Sequence, residues 1–179
     1  MKKGELYRFS ISINTEILDF RAVLHPSESM SFFITRVLAF ALNYQPNIRF
    51  SAGVCIDEAP ICVTSETGEF KLWIDINPNS KRIERAMKIA EKVCIYTFQK
   101  PDVLKRNWKR VKRHHNSVQA FYLDSVFLEH LESVLERDNH WMIEIKPNNF
   151  FNITIAQQVF EVELKPIILD ESKNSFSQH

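Results

Sequence analysis

The chain has 179 residues, 45% of them hydrophobic and 25% charged, enough apolar material for one domain to bury a substantial core. Lys and Arg number 23 against 22 for Asp and Glu, which excludes a protein-wide field that would by itself draw the chain to nucleic acid or membrane; any basic site has to be local. No run approaches the roughly 18 apolar residues of a membrane helix, and Met1-Lys2-Lys3-Gly4-Glu5 leads into alternation instead of an apolar leader, so a cytoplasmic location without a membrane partner is the default expectation.

Tyr7, Phe9, Ile11 and Ile13 alternate with polar residues, and after Asn14-Thr15 the alternation resumes at Leu18, Phe20, Ala22 and Leu24. This period of two predicts an opening β-hairpin. His25-Pro26-Ser27 stops it. Met30, Phe33, Ile34, Val37, Leu38, Ala41 and Leu42 then recur at helical spacing, with Ser27 expected as N-cap and Glu28 in the first turn. Ile48 to Ile56 and Pro60 to Thr64 read as strands, and the Ser65-Glu66-Thr67-Gly68 turn leads to a strand over Phe70 to Ile76. Asn77-Pro78-Asn79-Ser80 ends it.

Ile83, Ala86, Met87 and Ala90 mark a helix running straight into the apolar strand Val93 to Phe98, so a right-handed parallel crossover is expected. A basic helix around Val103 to Arg113, a strand over Val118 to Leu123 and an Asp124-capped helix carrying Phe127, Leu128, Leu131, Val134 and Leu135 repeat the unit loosely. His140 to Ile145, Phe151 to Ile155 and Val159 to Leu164 complete the pattern as strands, expected antiparallel around Pro147-Asn148-Asn149. The reading is one α/β domain over residues 1–169, a mixed sheet flanked by helices with N-terminal and C-terminal antiparallel strands, followed by a disordered polar tail over 170–179. Cys55, Cys62 and Cys94 are odd in number, lie in apolar surroundings and lack C-x-x-C spacing, so they read as reduced core residues. With three glycines there is no Gly-rich phosphate loop.

Glu28, Asp57, Glu58 and Asp75 fall at element starts or strand ends, where side chains converge beside a sheet and can hold a hard divalent ion such as Mg²⁺ or Mn²⁺. The same residues also read as a helix-dipole complement and ordinary turn acids. The stretch from Lys100 to His115 carries Lys100, Lys105, Arg106, Lys109, Arg110, Lys112 and Arg113 against the single acid Asp102. Leu104, Trp108 and Val111 share one face, so the element should pack on the domain and present either a phosphate-binding patch or a plain solvated surface. His114 and His115 are neighbours and a poor chelating pair on a strand. Three E-x-K strings, beginning at Glu69, Glu144 and Glu163, are what any half-exposed strand produces.

The blocks His25-Pro26-Ser27-Glu28, Gly53-Val54-Cys55-Ile56-Asp57-Glu58-Ala59-Pro60, Leu72-Trp73-Ile74-Asp75 and Arg82-Ile83-Glu84-Arg85-Ala86 resemble the YaeQ family in order and spacing. That resemblance implies a restriction-endonuclease-like, PD-(D/E)xK core of four or five mixed strands, with an acidic Mg or Mn site at its edge. Glu28 matches the family's helix-one glutamate and Asp75 the acid of the D/E-x-K strand. Pro60 matches the proline of the P-D element, but Ile61 stands where its acid belongs, with Asp57 or Glu58 as the substitute ligand. Arg85 occupies the position that tends to carry Lys, and arginine is a poor proton shuttle.

The expected function is therefore nucleic-acid binding on a nuclease-like scaffold with weakened or lost catalysis, through Lys105, Arg106, Lys109, Arg110, Lys112 and Arg113. The alternatives are an active metal-dependent nuclease using Glu28, Asp75 and Arg85, or a protein-interaction domain using exposed apolar residues such as Trp141 or the hairpin edge.

Overall fold

The computed structural model describes residues 4–51, 58–112 and 117–170. The hairpin forms as β1 (Glu5–Ile13) and β2 (Glu16–Leu24), paired in register from Ile13–Glu16 to Glu5–Leu24. Its two-residue turn places Asn14 at φ 52°, a conformation Asn tolerates better than most residues. α1 (Met30–Leu42) follows, but its N-cap is Ser29, whose side chain accepts from the Phe32 N–H. Ser27 and Glu28 thus precede the helix: the expected cap lay two residues too early because residues 25–28 form a turn closed by the Glu28 N–H on the His25 carbonyl at 2.9 Å.

β3 (Ile48–Phe50), β4 (Ile61–Thr64) and β5 (Phe70–Ile76) form an antiparallel run. α2 (Ser80–Ile89), capped by Asn79, returns the chain to β6 (Ala90–Thr97), parallel to β5. α3 (Pro101–Lys109) connects to β7 (Ser117–Tyr122), parallel to β6, and Asp124 caps α4 (Ser125–Ser133) by accepting from the Val126 N–H. β8 (Asp138–Ile145), β9 (Phe150–Ile155) and β10 (Gln158–Glu163) form the antiparallel set, with Asn148 and Asn149 both at positive φ in the first turn. A short β11 (Lys165–Pro166) closes the chain against β7.

The strands make two sheets instead of the single mixed sheet expected. One has the order β10-β9-β8-β1-β2 and the other β11-β7-β6-β5-β4-β3. The hairpin and the C-terminal strands are joined by parallel pairing of β1 with β8, from Arg8–Asp138 to Ile13–Ile143. Alternation within a strand cannot reveal such a pairing. α1 explains why two sheets are needed. Its residues from Phe33 to Ala41 are all buried, which is the signature of a helix enclosed on every side.

One core gathers α1, α4, the inner face of the five-stranded sheet and Ile61, Ile74, Ile76, Cys94 and Tyr96 of the other sheet. The second core lies on the opposite face, where Cys62, Trp73, Val93 and Ile95 pack against Ile83, Ala86 and Met87 of α2 and Leu104 and Trp108 of α3. Cys62 and Cys94 are buried free thiols, while Cys55 lies outside the described residues. Trp141 is also buried, at 2% exposure, with its ring edge-on to Phe9 at 5.1 Å. It therefore offers no surface to a partner, because its strand turns that face toward α1 and α4.

Candidate functional site

A cavity of about 230 Å³ opens where α1, β5 and the start of α2 meet. Its wall includes His25, Glu28, Arg36, Glu58, Asp75 and Arg82. Glu28 and Asp75, separated in sequence by α1, β3, β4 and most of β5, thus face one space, as the two acids of a metal site would. Their oxygens, however, are already engaged.

Glu28 receives Arg36 Nε on Oε1 at 2.8 Å, with Arg36 Nη2 and the His25 N–H on Oε2 at 3.0 Å each. The pair is nearly sealed from solvent, with side-chain exposures of 8% for Arg36 and 2% for Glu28. Arg36 Nη2 also donates to the Val23 carbonyl at 2.7 Å, and its guanidinium lies 5.5 Å from the Phe33 ring centroid and 5.3 Å from that of Phe50. A planar, weakly hydrated cation suits both the fork and the aromatic faces.

Asp75 sits on the Trp73 side of β5 and is held in the same manner. Arg82 Nε reaches Oδ2 at 3.0 Å and Oδ1 at 3.3 Å, and Arg82 Nη2 reaches Oδ1 at 3.0 Å. The Ile76 N–H and Trp73 Nε1 add donors at 2.8 and 3.4 Å. Burial pushes the Asp75 carboxyl up from the ordinary carboxylate range, against the pull of the Arg82 guanidinium. Arg82 Nη2 continues to the Glu58 carbonyl at 3.0 Å, so this guanidinium ties β5 to the segment before β4.

A divalent ion needs oxygen lone pairs directed into open space. Here N–H donors occupy the oxygens of Glu28 and Asp75, and among the described residues no group of three or more His, Cys, Asp or Glu is arranged to hold a metal. This donor set does not fit Mg²⁺ or Mn²⁺ unless an arginine is displaced. Ile61 is fully buried in the shared core opposite Ile74, away from the cavity. Glu58 lines the cavity and Asp57 lies outside the described residues.

Arg85 is exposed one turn further along α2 and lines a different surface recess with Lys81 and Lys88. The arginines at the acids are Arg36 and Arg82, neither of which the sequence reading selected. A signal for Arg36 was present: a single guanidinium inside an apolar helix must find a buried anion.

α3 presents the other candidate surface. Leu104, Trp108 and Val111 are buried, while Arg106, Lys109, Arg110 and Lys112 are exposed and Lys105 half-buried. No ion pair links these five cations to an acid among the described residues. Arg113 lies outside them. Asn107 Nδ2 donates to the Pro78 carbonyl at 3.2 Å, which fixes this helix beside the loop whose Asn77 lines the cavity.

A family model described as YaeQ protein matches residues 13–164. The chain belongs to the YaeQ family. The uncharacterized YaeQ proteins of Escherichia coli (strain K12) and Shigella flexneri are each 24% identical to it over 177 residues, covering 87% of this chain and 97% of theirs. The crystal structure of the YaeQ protein from Pseudomonas syringae superposes with a TM-score of 0.83 at 20% identity, covering 92% of this chain and 96% of that one. The YaeQ protein from Xanthomonas axonopodis pv. citri gives 0.76 at 21% identity, over 92% and 97%. The two solved YaeQ structures thus share the fold of this chain. In addition, no helix among the described residues is long and apolar enough to cross a membrane.

Proposed function

We propose that this YaeQ-family protein binds the sugar-phosphate backbone of nucleic acid through α3, on a restriction-endonuclease-like scaffold whose chemistry is weakened or lost. The observation that carries the reading is the cation excess at the C-terminal end of that helix and just beyond it, where Arg106, Lys109, Arg110 and Lys112 stand exposed beside the anchoring Leu104 and Trp108, while the acid of α3, Asp102, sits in its first turn. Cations without acidic partners gain most from phosphate, because binding releases counterions from the nucleic acid instead of breaking an existing pair. Such contacts position a backbone without reading its sequence. The arginine clamps on Glu28 and Asp75 support the loss of chemistry, since both acids serve as anchors for guanidinium groups.

The test is fluorescence anisotropy of the full chain with labelled DNA and RNA, duplex and single-stranded, across a salt series. Binding should weaken with a log-log slope of about −0.9 per neutralised phosphate on duplex DNA and about −0.7 on single strands. Absence of binding at low salt, or binding indifferent to salt, would defeat the reading.

The convergence of Glu28 and Asp75 on one cavity favours a second reading, a Mg- or Mn-dependent nuclease in which a metal displaces Arg82 or Arg36. Calorimetric titration with Mn²⁺ and Mg²⁺ beside Asp75→Ala decides it. Site-specific binding lost in the variant supports the nuclease, and no site-specific binding removes it.

A further inference from the structure

The outer edge of the five-stranded sheet is β2, nine residues without Pro, Gly or a break in register. Edges of this length are usually blunted against pairing. Because Ile13 and Glu16 close a two-residue turn, the even-numbered residues of β2 share hydrogen bonds with β1, and Ile17, Asp19, Arg21 and Val23 turn their backbone groups outward. The Val23 carbonyl accepts from Arg36 and not from β1, in agreement with that parity.

The side chains of the same four residues are exposed, with Ile17 at 71% and Val23 at 37%. Neither Asp19 nor Arg21 has an ion pair among the described residues. Arg21 stands directly opposite Arg8, and Arg8 is committed to Asp138 at 2.7 Å. Like charges opposite one another across a strand pair are unfavourable, so Arg21 lacks on its own sheet the partner its position calls for.

A second copy supplies it. When β2 is laid antiparallel to β2 of another chain about a two-fold axis at Phe20, Asp19 faces Arg21 of the second copy and Arg21 faces its Asp19. Ile17 then faces Val23 of the second copy, apolar against apolar. Moving the axis to Asp19 or to Arg21 keeps the hydrogen-bond parity but sets a charged residue against its own copy, which charge repulsion disfavours. The charge order along β2 therefore selects one register of a self-complementary, two-fold interface.

We propose that β2 is a homodimerisation edge, pairing antiparallel with β2 of a second copy about Phe20 and joining the two five-stranded sheets. The backbone groups of Asp19 and Arg21 supply the central hydrogen bonds. Ile17 and Val23 close the ends through side-chain contact, since Arg36 already holds the Val23 carbonyl. The proposal is independent of the nucleic-acid reading, whose cations lie on another element.

The test is sedimentation equilibrium of the full chain over a concentration series, with Asp19→Arg and Arg21→Asp measured alone, mixed and combined. Wild type should reach the mass of two chains. Each single variant should fall to one chain, because in each the facing side chains carry like charge. An equal mixture of the two should return to the mass of two chains as a heterodimer, and the double variant should recover the homodimer. Circular dichroism should leave all variants folded, because both residues are exposed. A wild type that stays monomeric up to its solubility limit overturns the proposal. So does a dimer indifferent to both single variants, or one that neither mixing nor the double exchange restores.

Discussion

Arg82 holds Asp75 through three contacts of 3.0 to 3.3 Å, with side-chain exposures of 18% and 2%, and passes its remaining reach to the Glu58 carbonyl. Removing one partner of such a pair leaves the other's charge without its counter-ion. Asp75→Ala and Arg82→Ala should each cost about 3 to 5 kcal/mol, read from urea unfolding, and the double variant should cost clearly less than the sum. Additive losses would mean that the two residues do not act as a unit.

Glu28 and Arg36 make a parallel case on α1. Arg36→Met removes the cation but keeps apolar packing against Phe33 and Phe50. It should still destabilise by several kcal/mol because Glu28 remains buried, whereas pairing it with Glu28→Leu should recover most of that loss. Equal stability of the single and double variants would show that burial of the Glu28 charge is not the determining cost.

Trp73 is 1% exposed on β5 and packs in the second core beside Phe70 of the same strand, with ring centroids 5.4 Å apart. Trp73→Ala should cost about 3 to 5 kcal/mol through lost contacts and the cavity left behind. A melting midpoint within a degree or so of wild type would contradict the packing described.

Charge reversal at Lys105, Lys109 and Lys112 should weaken nucleic-acid binding for every sequence alike and flatten its salt slope by up to about 0.9 per lost duplex contact. Stability should stay within about 0.5 kcal/mol for the exposed Lys109 and Lys112 and fall somewhat more at the half-buried Lys105. Unchanged binding would remove α3 from the function.

Burial pushes the Cys94 thiol up from 9.0 to about 12. The folded state therefore holds this proton more tightly than the unfolded chain. Stability linked to the thiol is fully present below pH 9.0 and is lost as pH rises toward about 12, at no more than about 1.4 kcal/mol per pH unit. Tyr96, also raised by burial, acts in the same direction. Cys94→Ala should make the alkaline slope of unfolding free energy shallower without abolishing it. An identical slope would mean the thiol already ionises near its ordinary value in the native state.

The sequence by itself determined the local elements, because hydrophobic period, caps and turns act between near neighbours. The alternation from Tyr7 to Leu24 forms the hairpin, the apolar face from Met30 to Leu42 forms α1, and Leu104 with Trp108 anchors α3. It also selected Glu28 and Asp75, which do meet in one cavity. The split into two sheets depended on β1 finding β8, a pairing of strands more than a hundred residues apart that no local period encodes. The partners of the acids were likewise decided only in three dimensions. Arg82 and Arg85 are three positions apart on α2, roughly 4.5 Å along its axis, and the docking of the helix start beside the end of β5 brings one to Asp75 and places the other on the exposed face of α2. Local periodicity tells which face of an element is buried; the element that covers it, and so which charge meets which, follows from packing between segments distant in the chain.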